Sequence, residues 1–258
     1  MGSLYSRSIG ALAAKGSYIF SLDSDDIFLV PDLFEIIYIL ASQDNFDIVQ
    51  FRALIAKSYS PIINEINDDI ILDNPHNLVL TQPRLGKCTI FNYNRFSTHD
   101  VYVWGKIIRT DIYQKAVNLL GKEKYSIFIT WSEDNIITFL IYNLAKTFKS
   151  VKKYGIFHFT FKSNEGYNND RKIMGKILFS DVIYDFTDNN SDKNFAVDAI
   201  LDIMKSGFFS VKNNKFISEY FKKFSQKILE SKYISETKKN RFREKYSKIQ
   251  FFQEKIHI

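Results

Sequence analysis

The chain has 258 residues, of which 45% are hydrophobic and 25% are charged, and its formal net charge is +6. This composition is ordinary for a globular protein and argues against a disordered chain. The single cysteine, Cys88, excludes an internal disulfide framework and a multi-cysteine zinc site. Because the sequence has no apolar run of about 18 residues and no signal-like N-terminus, it predicts a cytoplasmic protein or one peripheral on the cytoplasmic face of a membrane.

The first predicted elements are a short helix in residues 1–16 and a buried strand, Tyr18 to Leu22. Three carboxylates, Asp23, Asp25 and Asp26, follow the strand directly. In an open α/β sheet the carboxyl end of such a strand lies at the ligand crevice. We therefore expect the three acids to lie at a binding site.

Asp23 and Asp25 stand two residues apart, so both side chains can point to one side of an extended segment. Two carboxylates about 4 Å apart repel each other by roughly 4 kcal/mol at an effective dielectric of ~20, which favours a bound cation. Mg²⁺ or Mn²⁺ takes oxygen ligands and is commonly completed by substrate phosphates. The alternative is an acidic turn before the helix that begins at Pro31.

The segment from Arg7 to Asp26, RSIGALAAKGSYIFSLDSDD, combines an R-x-x-G helix, an A-K-G turn, a Y-I strand and an L-D-S-D-D motif. In this combination it resembles the family 2 glycosyltransferases of the GT-A fold. The resemblance implies an α/β, Rossmann-like and mostly parallel sheet, and an inverting transfer of a sugar from a nucleotide-diphosphate donor. It also implies that Arg7 and Asp23 contact the donor, that Asp25 binds the metal with Asp23, and that Asp26 closes the loop.

The family places further strands ahead of the strand that carries this motif. Two βαβ units of about 30 residues each would add roughly 60 residues. We therefore expect a GT-A domain that lacks the N-terminal part of its nucleotide-binding half, and that is inactive or very weak alone.

Residues Val101 to Arg109 and the periodic stretch to Leu120 predict a strand, a cap and a helix. The strand resembles the W-x-K-(hydrophobic)-x-R element of the same family. The resemblance implies that Trp104 forms a wall against the acceptor and that Lys106 points toward the donor diphosphate. The alternatives are a core tryptophan and a solvated lysine.

A short strand is predicted at Ser126 to Thr130, and Trp131 and Ser132 lead from it into a helix. Glu133 and Asp134 open this helix, where acids also suit the helix dipole. The family has an E-D pair here, and the resemblance implies that Asp134, or failing it Glu133, is the catalytic base. Trp131 is expected to contact the acceptor.

The segment VKKYGIFHFTF, residues 151–161, alternates in polarity and predicts a strand. The family has a segment here that closes the site, so His158 is expected to touch the metal or the diphosphate. The alternative is a packed histidine between two phenylalanines.

The chain is expected to divide into a partial GT-A domain, residues 1–168, and a C-terminal region, residues 169–258, of four helices. From Val211 onward there are 13 Lys and Arg against 5 Glu, a balance of +8, so the basicity lies in the tail. Such a tail either contacts anionic lipid at a membrane surface or forms solvated helix faces.

Two other functional classes remain open at this point. YIFSLDSDDIF also fits a haloacid-dehalogenase-like phosphatase in which Asp23 is the nucleophile. The third reading is a non-enzymatic binding domain. The sequence has no nucleic-acid-binding module, so the expected partners are a nucleotide sugar and an acceptor that is a glycan, a lipid or a protein.

Overall fold

The structure is a computed structural model that describes residues 2–56, 79–81, 102–129, 131–159, 169–187, 193–194, 196–201 and 214–254. Cys88 lies outside the described residues. The chain forms two compact units. The first contains Ser3–Ser126 and Ile137–Gly166, and the second contains Ile127–Ile136 and Tyr167–Ile258. The main division thus falls near the expected boundary at residue 168, but Ile127–Ile136 groups with the C-terminal helices.

The first unit is built on one sheet with helices beside it. Its strands are, in chain order, β1 (Tyr18–Phe20), β2 (Ile27–Phe28), β3 (Ile48–Ala56), β4 (Val79–Thr81), β5 (Lys106–Arg109) and β6 (Thr147–Phe159). Its helices are α1 (Ser3–Ala13), α2 (Leu33–Gln43), α3 (Thr110–Leu120), α4 (Lys122–Tyr125) and α5 (Glu133–Leu144), although α5 begins in the second unit. The strand order is β1-β5-β3-β6-β2, and β4 also pairs with β6.

The α/β class is confirmed, but the sheet is not mostly parallel among the described strands. Only β3 and β6 pair in parallel, whereas the β1–β5, β3–β5, β2–β6 and β4–β6 pairs are antiparallel. The reason is that β5 lies between β1 and β3 and runs against both of them. Strands β1, β3 and β6 therefore still point the same way, with their carboxyl ends on one side of the sheet.

Asp47 fixes the start of the parallel pair. Its Oδ2 accepts hydrogen bonds from the backbone N–H groups of Lys146, at 2.6 Å, and Thr147, at 3.2 Å. The Thr147 hydroxyl in turn accepts from the backbone N–H of Asp47 at 2.9 Å. Farther along, the register shifts: Gln50 pairs with Ser150, but Ala53 pairs with Ile156, so β6 contains a bulge of three extra residues.

Helix α2 covers one face of the sheet. Leu33, Ile37 and Ala41 recur at helical spacing, and all three are fully buried against the sheet. The strand residues of this core include Val49, Phe51, Ala53, Ile107 and Ile156. This packing holds β3, β5 and β6 as a rigid base for the carboxyl end of β1.

The second unit is helical in its described part, with α6 (Asn169–Phe186), α7 (Lys215–Glu230) and α8 (Glu236–Glu254), and with helical residues between 193 and 201. The predicted break near Lys232 to Ser235 is confirmed. The strand predicted at Ser126 to Thr130 is wrong for its described residues, because α4 runs to Tyr125 and a turn follows. No helix among the described residues has the length and apolar character needed to cross a membrane.

Lys227 joins two helices of the second unit. Its ammonium contacts the carboxylates of Asp181, at 2.7 Å, and Asp185. Burial alone would lower the pKa of Lys227, but hydrogen bonds to the two carboxylates and their negative charge raise it above its usual value. The lysine therefore stays charged and pairs α7 with α6.

Candidate active site

The acidic motif forms a tight turn at the carboxyl end of β1. The backbone N–H of Asp26 donates to the carbonyl of Asp23 at 3.1 Å, and β2 begins at the next residue. In the antiparallel pairing of β2 with β6, Ile27 faces Phe157. Continuing this register by one residue places Asp26 opposite His158, which brings two distant parts of the sequence together.

Asp23, Asp26 and His158 each offer a ligand atom, and these atoms lie within 4.8 Å of one another. His158 Nδ1 is 2.9 Å from Asp26 Oδ1, which also accepts from the backbone N–H of Phe159 at 3.3 Å. The Asp26 side chain is 0% exposed, and among the described residues its Oδ2 is buried without a hydrogen-bond partner. Burial of a carboxylate oxygen without a hydrogen-bond partner costs free energy, so this oxygen is a natural position for a cation.

The acidic turn also acts on the His158 ring. Burial alone would lower the pKa of His158, but the hydrogen bond to Asp26 and the negative charges of Asp26, Asp23 and Asp25 raise it above its usual value. The three carboxylates therefore create a negative potential around this imidazole.

Asp25 and Arg7 are two further residues of the expected site. Asp25 is exposed and is not in the cluster, although its charge acts on His158. Arg7, on α1, forms an ion pair with Asp23 Oδ1. Arg7 therefore holds Asp23 at the mouth of the turn, whereas the expected donor contact of Arg7 stays a prediction.

Trp104 is 4% exposed and lies in a stack of three rings. Its indole stacks on the His158 ring with a centroid distance of 4.4 Å and on the Tyr102 ring at 4.6 Å. The burial fits the alternative of a core tryptophan, and the contact with the acceptor that the resemblance implies stays a prediction. Trp104 supports the imidazole of His158.

Lys106 is 1% exposed, and its ammonium donates to the carbonyl of Tyr102. The alternative of a solvated lysine is wrong, because β5 buries the side chain, and the contact of Lys106 with a donor diphosphate stays a prediction.

Glu133 and Asp134 form the first turn of α5, as the sequence predicts, and both are half-buried. Ser132 precedes the helix with a φ of +68°, and its carbonyl accepts from the N–H of Ile136. The Ser132 hydroxyl is buried and has no hydrogen-bond partner among the described residues. Trp131 is 43% exposed, and the Lys172 ammonium lies 4.2 Å from its ring centroid.

The ligand atoms of Asp23, Asp26 and His158 determine which cation the cluster suits. Two carboxylates and one imidazole fit Mn²⁺ well, while Mg²⁺ prefers oxygen ligands alone. Asp26 is placed to use Oδ1 to orient the imidazole and Oδ2 to bind an ion, an arrangement that fixes the ring of a ligating histidine. The residues present therefore fit a divalent cation. Sequence analysis missed Asp26 as a candidate ligand because nothing in the two-residue strand β2 indicates its pairing with β6.

The sheet, its covering helix and the acidic turn at the end of β1 form an α/β fold. Among solved structures, the chain is similar to Staphylococcus aureus TarS 1-349 in complex with UDP-GlcNAc, with a TM-score of 0.50 and 13% identity over 86% of this chain. It is also similar to TarS 1-349 alone, with a TM-score of 0.46, and to TarS, with a TM-score of 0.49. The chain spans 59% of TarS 1-349. No protein-family model matches the chain, and no curated protein sequence does.

Proposed function

We propose that the chain is a metal-dependent glycosyltransferase that takes its sugar from a nucleotide-diphosphate donor. One observation carries the proposal: Asp23, Asp26 and His158 converge at the end of β1, where a buried carboxylate oxygen has no partner among the described residues. The likeness of the fold to a protein bound to UDP-GlcNAc supports a nucleotide sugar as the donor.

The proposed transfer inverts the anomeric carbon. The acceptor oxygen bonds to this carbon as the bond to the leaving diphosphate breaks on the opposite side, and Asp134 takes the hydroxyl proton. Asp23, Asp26 and His158 would hold the cation, with Asp25 available at the same turn. A bound Mn²⁺ or Mg²⁺ supplies positive charge against the negative charge that develops on the diphosphate.

A phosphatase with Asp23 as its nucleophile is the competing enzyme class. Such a nucleophile needs an oxygen directed at the phosphorus atom of the substrate. The guanidinium of Arg7 holds Asp23 Oδ1 in an ion pair, and no observation of the fold favours this reaction. Phosphatase activity is therefore only a result that the experiment must exclude.

The proposal is tested by titrating the chain with Mn²⁺ and with UDP-GlcNAc in a calorimeter. We expect UDP-GlcNAc to bind only when Mn²⁺ is present, and Asp26→Asn to weaken Mn²⁺ binding by about tenfold or more. The matched control is Asp32→Asn, which removes the same charge from an exposed residue that makes no side-chain capping bond. Thermal unfolding of each variant shows whether the fold is retained.

Fluorescence locates the ion. In a Trp131→Phe background, Trp104 is the one remaining tryptophan of the two in the chain, and its indole stacks on His158. Mn²⁺ is paramagnetic and should quench this indole, whereas Mg²⁺ should not.

The proposal fails if UDP-GlcNAc binds equally without metal, or if the folded chain hydrolyses an aryl phosphate with Mg²⁺. The assignment to Asp26 fails if Asp25→Asn loses Mn²⁺ and Asp26→Asn keeps it.

A further inference from the structure

Strand β1 lies at an edge of the sheet among the described strands, and it pairs with β5 alone. The backbone N–H of Thr110 donates to the carbonyl of Ser17 at 3.0 Å, one step beyond the first pair of the β1–β5 ladder. Because hydrogen-bonded and non-bonded pairs alternate along an antiparallel ladder, Ile19 also bonds to β5, whereas Tyr18 and Phe20 turn their N–H and C=O groups outward. The described residues supply no partner for these four groups.

The sequence of this edge lacks the features that keep an open strand from pairing with another chain. Natural edge strands are commonly protected by charged side chains, prolines or bulges. The segment from Gly16 to Leu22, GSYIFSL, contains no charged residue and no proline, and the register of β1 with β5 is regular. Strand β1 therefore presents outward backbone groups on an uncharged segment, which is a template for a further strand.

Exposed aromatic rings of the first unit lie beside the same edge. Phe34 and Tyr38 of α2 are 45% and 49% exposed. The Phe34 ring centroid is 5.2 Å from that of Phe20, and the Tyr38 ring centroid is 6.0 Å from that of Tyr18. These four residues line a groove of about 570 Å³, and we call them the edge groove. A strand added to β1 would thus cover backbone groups and apolar surface together.

The edge groove is complementary to itself. If two β1 strands align antiparallel about a two-fold axis at Ile19, Tyr18 of each copy faces Phe20 of the other. The outward N–H and C=O groups of these residues then pair completely, in four hydrogen bonds between the copies. Tyr18 and Phe20 both pack on the α2 side of the sheet, so their rings would also form cross-strand aromatic pairs. One patch thus serves both copies, as a two-fold interface requires.

The charges that flank the edge in the sequence favour the same alignment. Lys15 precedes β1 and is exposed, whereas Asp23 and the exposed Asp25 follow it. Lys15 and Asp23 each stand four residues from Ile19, so the antiparallel alignment places Lys15 of each copy beside the acidic turn of the other. Opposite charges across an interface fix its register. An unrelated extended peptide could satisfy the backbone groups but would not by itself supply this charge pairing.

We propose that the edge groove binds the edge groove of a second copy, so that the chain forms a two-fold symmetric dimer. Strand β1 of each copy extends the sheet of the other, and the α2 rings of both copies cover one face of the joined strands. The dimer does not rest on the proposed function, because neither a nucleotide sugar nor a metal takes part in it.

Sedimentation velocity of the full chain, from about 1 to 100 μM, tests the dimer. We expect the dimeric fraction to rise with concentration. Tyr38→Lys should weaken the dimer by about tenfold or more, because it places like charges on both copies at the groove. Lys15→Glu should weaken it as well, since each new carboxylate would lie beside the acidic turn of the other copy.

The matched control is Leu119→Lys, which adds the same charge at a residue of α3 that is 41% exposed and does not line the groove. It should leave the dimer unchanged. Thermal unfolding of each variant shows whether the fold is retained.

Disulfide formation tests the register. In a Cys88→Ser background, which has no other cysteine, Ile19→Cys should link the two copies under mild oxidation. Opposed residues of a non-hydrogen-bonded pair have Cα atoms about 4.5 Å apart, a separation that a disulfide can span. Lys15→Cys is the matched variant and should link far more slowly, because the two Lys15 positions lie at opposite ends of the paired strands. Non-reducing electrophoresis measures both.

The proposal is overturned if the folded chain stays monomeric at about 100 μM, which would leave the edge groove to an extended segment of another protein. It is also overturned if Tyr38→Lys dimerises normally, or if Ile19→Cys and Lys15→Cys link equally fast, because the copies would then meet through another surface.

Failure of the dimer is separable from failure of the transferase. Sedimentation is measured without nucleotide sugar and without Mn²⁺. A monomer that binds UDP-GlcNAc with Mn²⁺ contradicts only the dimer, and a dimer that binds no donor contradicts only the transferase.

Discussion

Glu133 and Asp134 are adjacent acids with different expected roles. The positive end of the α5 dipole stabilises a carboxylate at either position, which accounts for acids in a first turn without any catalysis. A base must in addition receive the proton of the acceptor hydroxyl during the reaction. Substitution separates the two roles, since a dipole contributes to stability and a base contributes to rate.

We predict that Asp134→Asn lowers the rate of UDP release in the presence of acceptor by about 10²- to 10⁴-fold. The affinity for Mn²⁺ and UDP-GlcNAc should hardly change, because in the proposed mechanism Asp134 binds neither of these ligands. Glu133→Gln is the matched variant and should keep most of the rate. The reverse result would assign the base to Glu133, and normal turnover in both variants would leave the acids only a helix-stabilising role.

The sequence located much of the candidate site but did not reveal the pairing that brings Asp26 beside His158. The spacing of Asp23, Asp25 and Asp26 after an apolar strand indicated the acidic turn, and family likeness indicated His158. Which carboxylate lies beside His158 depends on cross-strand pairing, and a two-residue strand has no periodicity to reveal it. Burial of Trp104 and Lys106 likewise depends on which strands lie beside β5.

At the scale of elements, two glycines of the first unit have opposite surroundings. Gly10 lies within α1, and an added Cβ would meet no atom within 4 Å. Gly155 lies in β6, where an added Cβ would be 2.5 Å from the Phe51 ring and 2.7 Å from Leu33. The same substitution is therefore favourable in one element and unfavourable in the other.

We predict that Gly10→Ala raises the free energy of unfolding by about 0.5 to 1 kcal/mol, since alanine loses less backbone entropy in a helix. Gly155→Ala should lower it by about 1 to 3 kcal/mol, because the core must shift to admit a methyl group. Urea denaturation followed by circular dichroism measures both values. Equal effects of the two substitutions would contradict the packing of Phe51 and Leu33 against β6.

Helices were predicted better than strands. Periodic apolar residues after Pro31 predict a helix, and α2 begins at Leu33 with Leu33 and Ile37 buried, although Phe34 of the same apolar stripe is 45% exposed. Strand direction follows from long-range topology, so the sequence did not reveal that β5 runs against both of its neighbours. The region from Ser126 to Ile129 resembles a strand in sequence because short apolar runs fit a strand and a loop equally well.

At the scale of the whole molecule, basic residues concentrate in the C-terminal helices. Most apolar residues of α7, including Phe221, Phe224 and Ile228, are buried within the second unit, whereas Phe216 is 54% exposed. Lys222 and Lys223 are exposed on the same helix. Any contact with a membrane surface is therefore expected to be electrostatic, without insertion of an apolar face.

We predict that the chain sediments with phosphatidylserine vesicles at low salt and is released by about 0.5 M NaCl, where the Debye length is only a few Å. Replacing Lys222 and Lys223 by Gln should weaken the binding by about tenfold or more, at roughly 1 kcal/mol for each lysine. Replacing the exposed Lys15 and Lys152 of the first unit is the control. Binding that survives high salt would indicate insertion, and no binding at low salt would leave the basic residues as solvated helix faces.

The number of extra residues in the β6 bulge affects which face of the sheet His158 occupies. Before the bulge, Val151 packs against the core beside α2, and beyond it Ile156 packs there too. Three is an odd number of extra residues, so the core-facing positions change from odd to even residue numbers. If the same residues continued in regular register, alternation would turn Phe157 and Phe159 toward the core. His158 would then lie on the opposite face, away from Trp104 and Asp26. The odd number of extra residues in the β6 bulge thus determines whether an imidazole lies at the acidic turn. The bulge itself is several residues away from any candidate ligand.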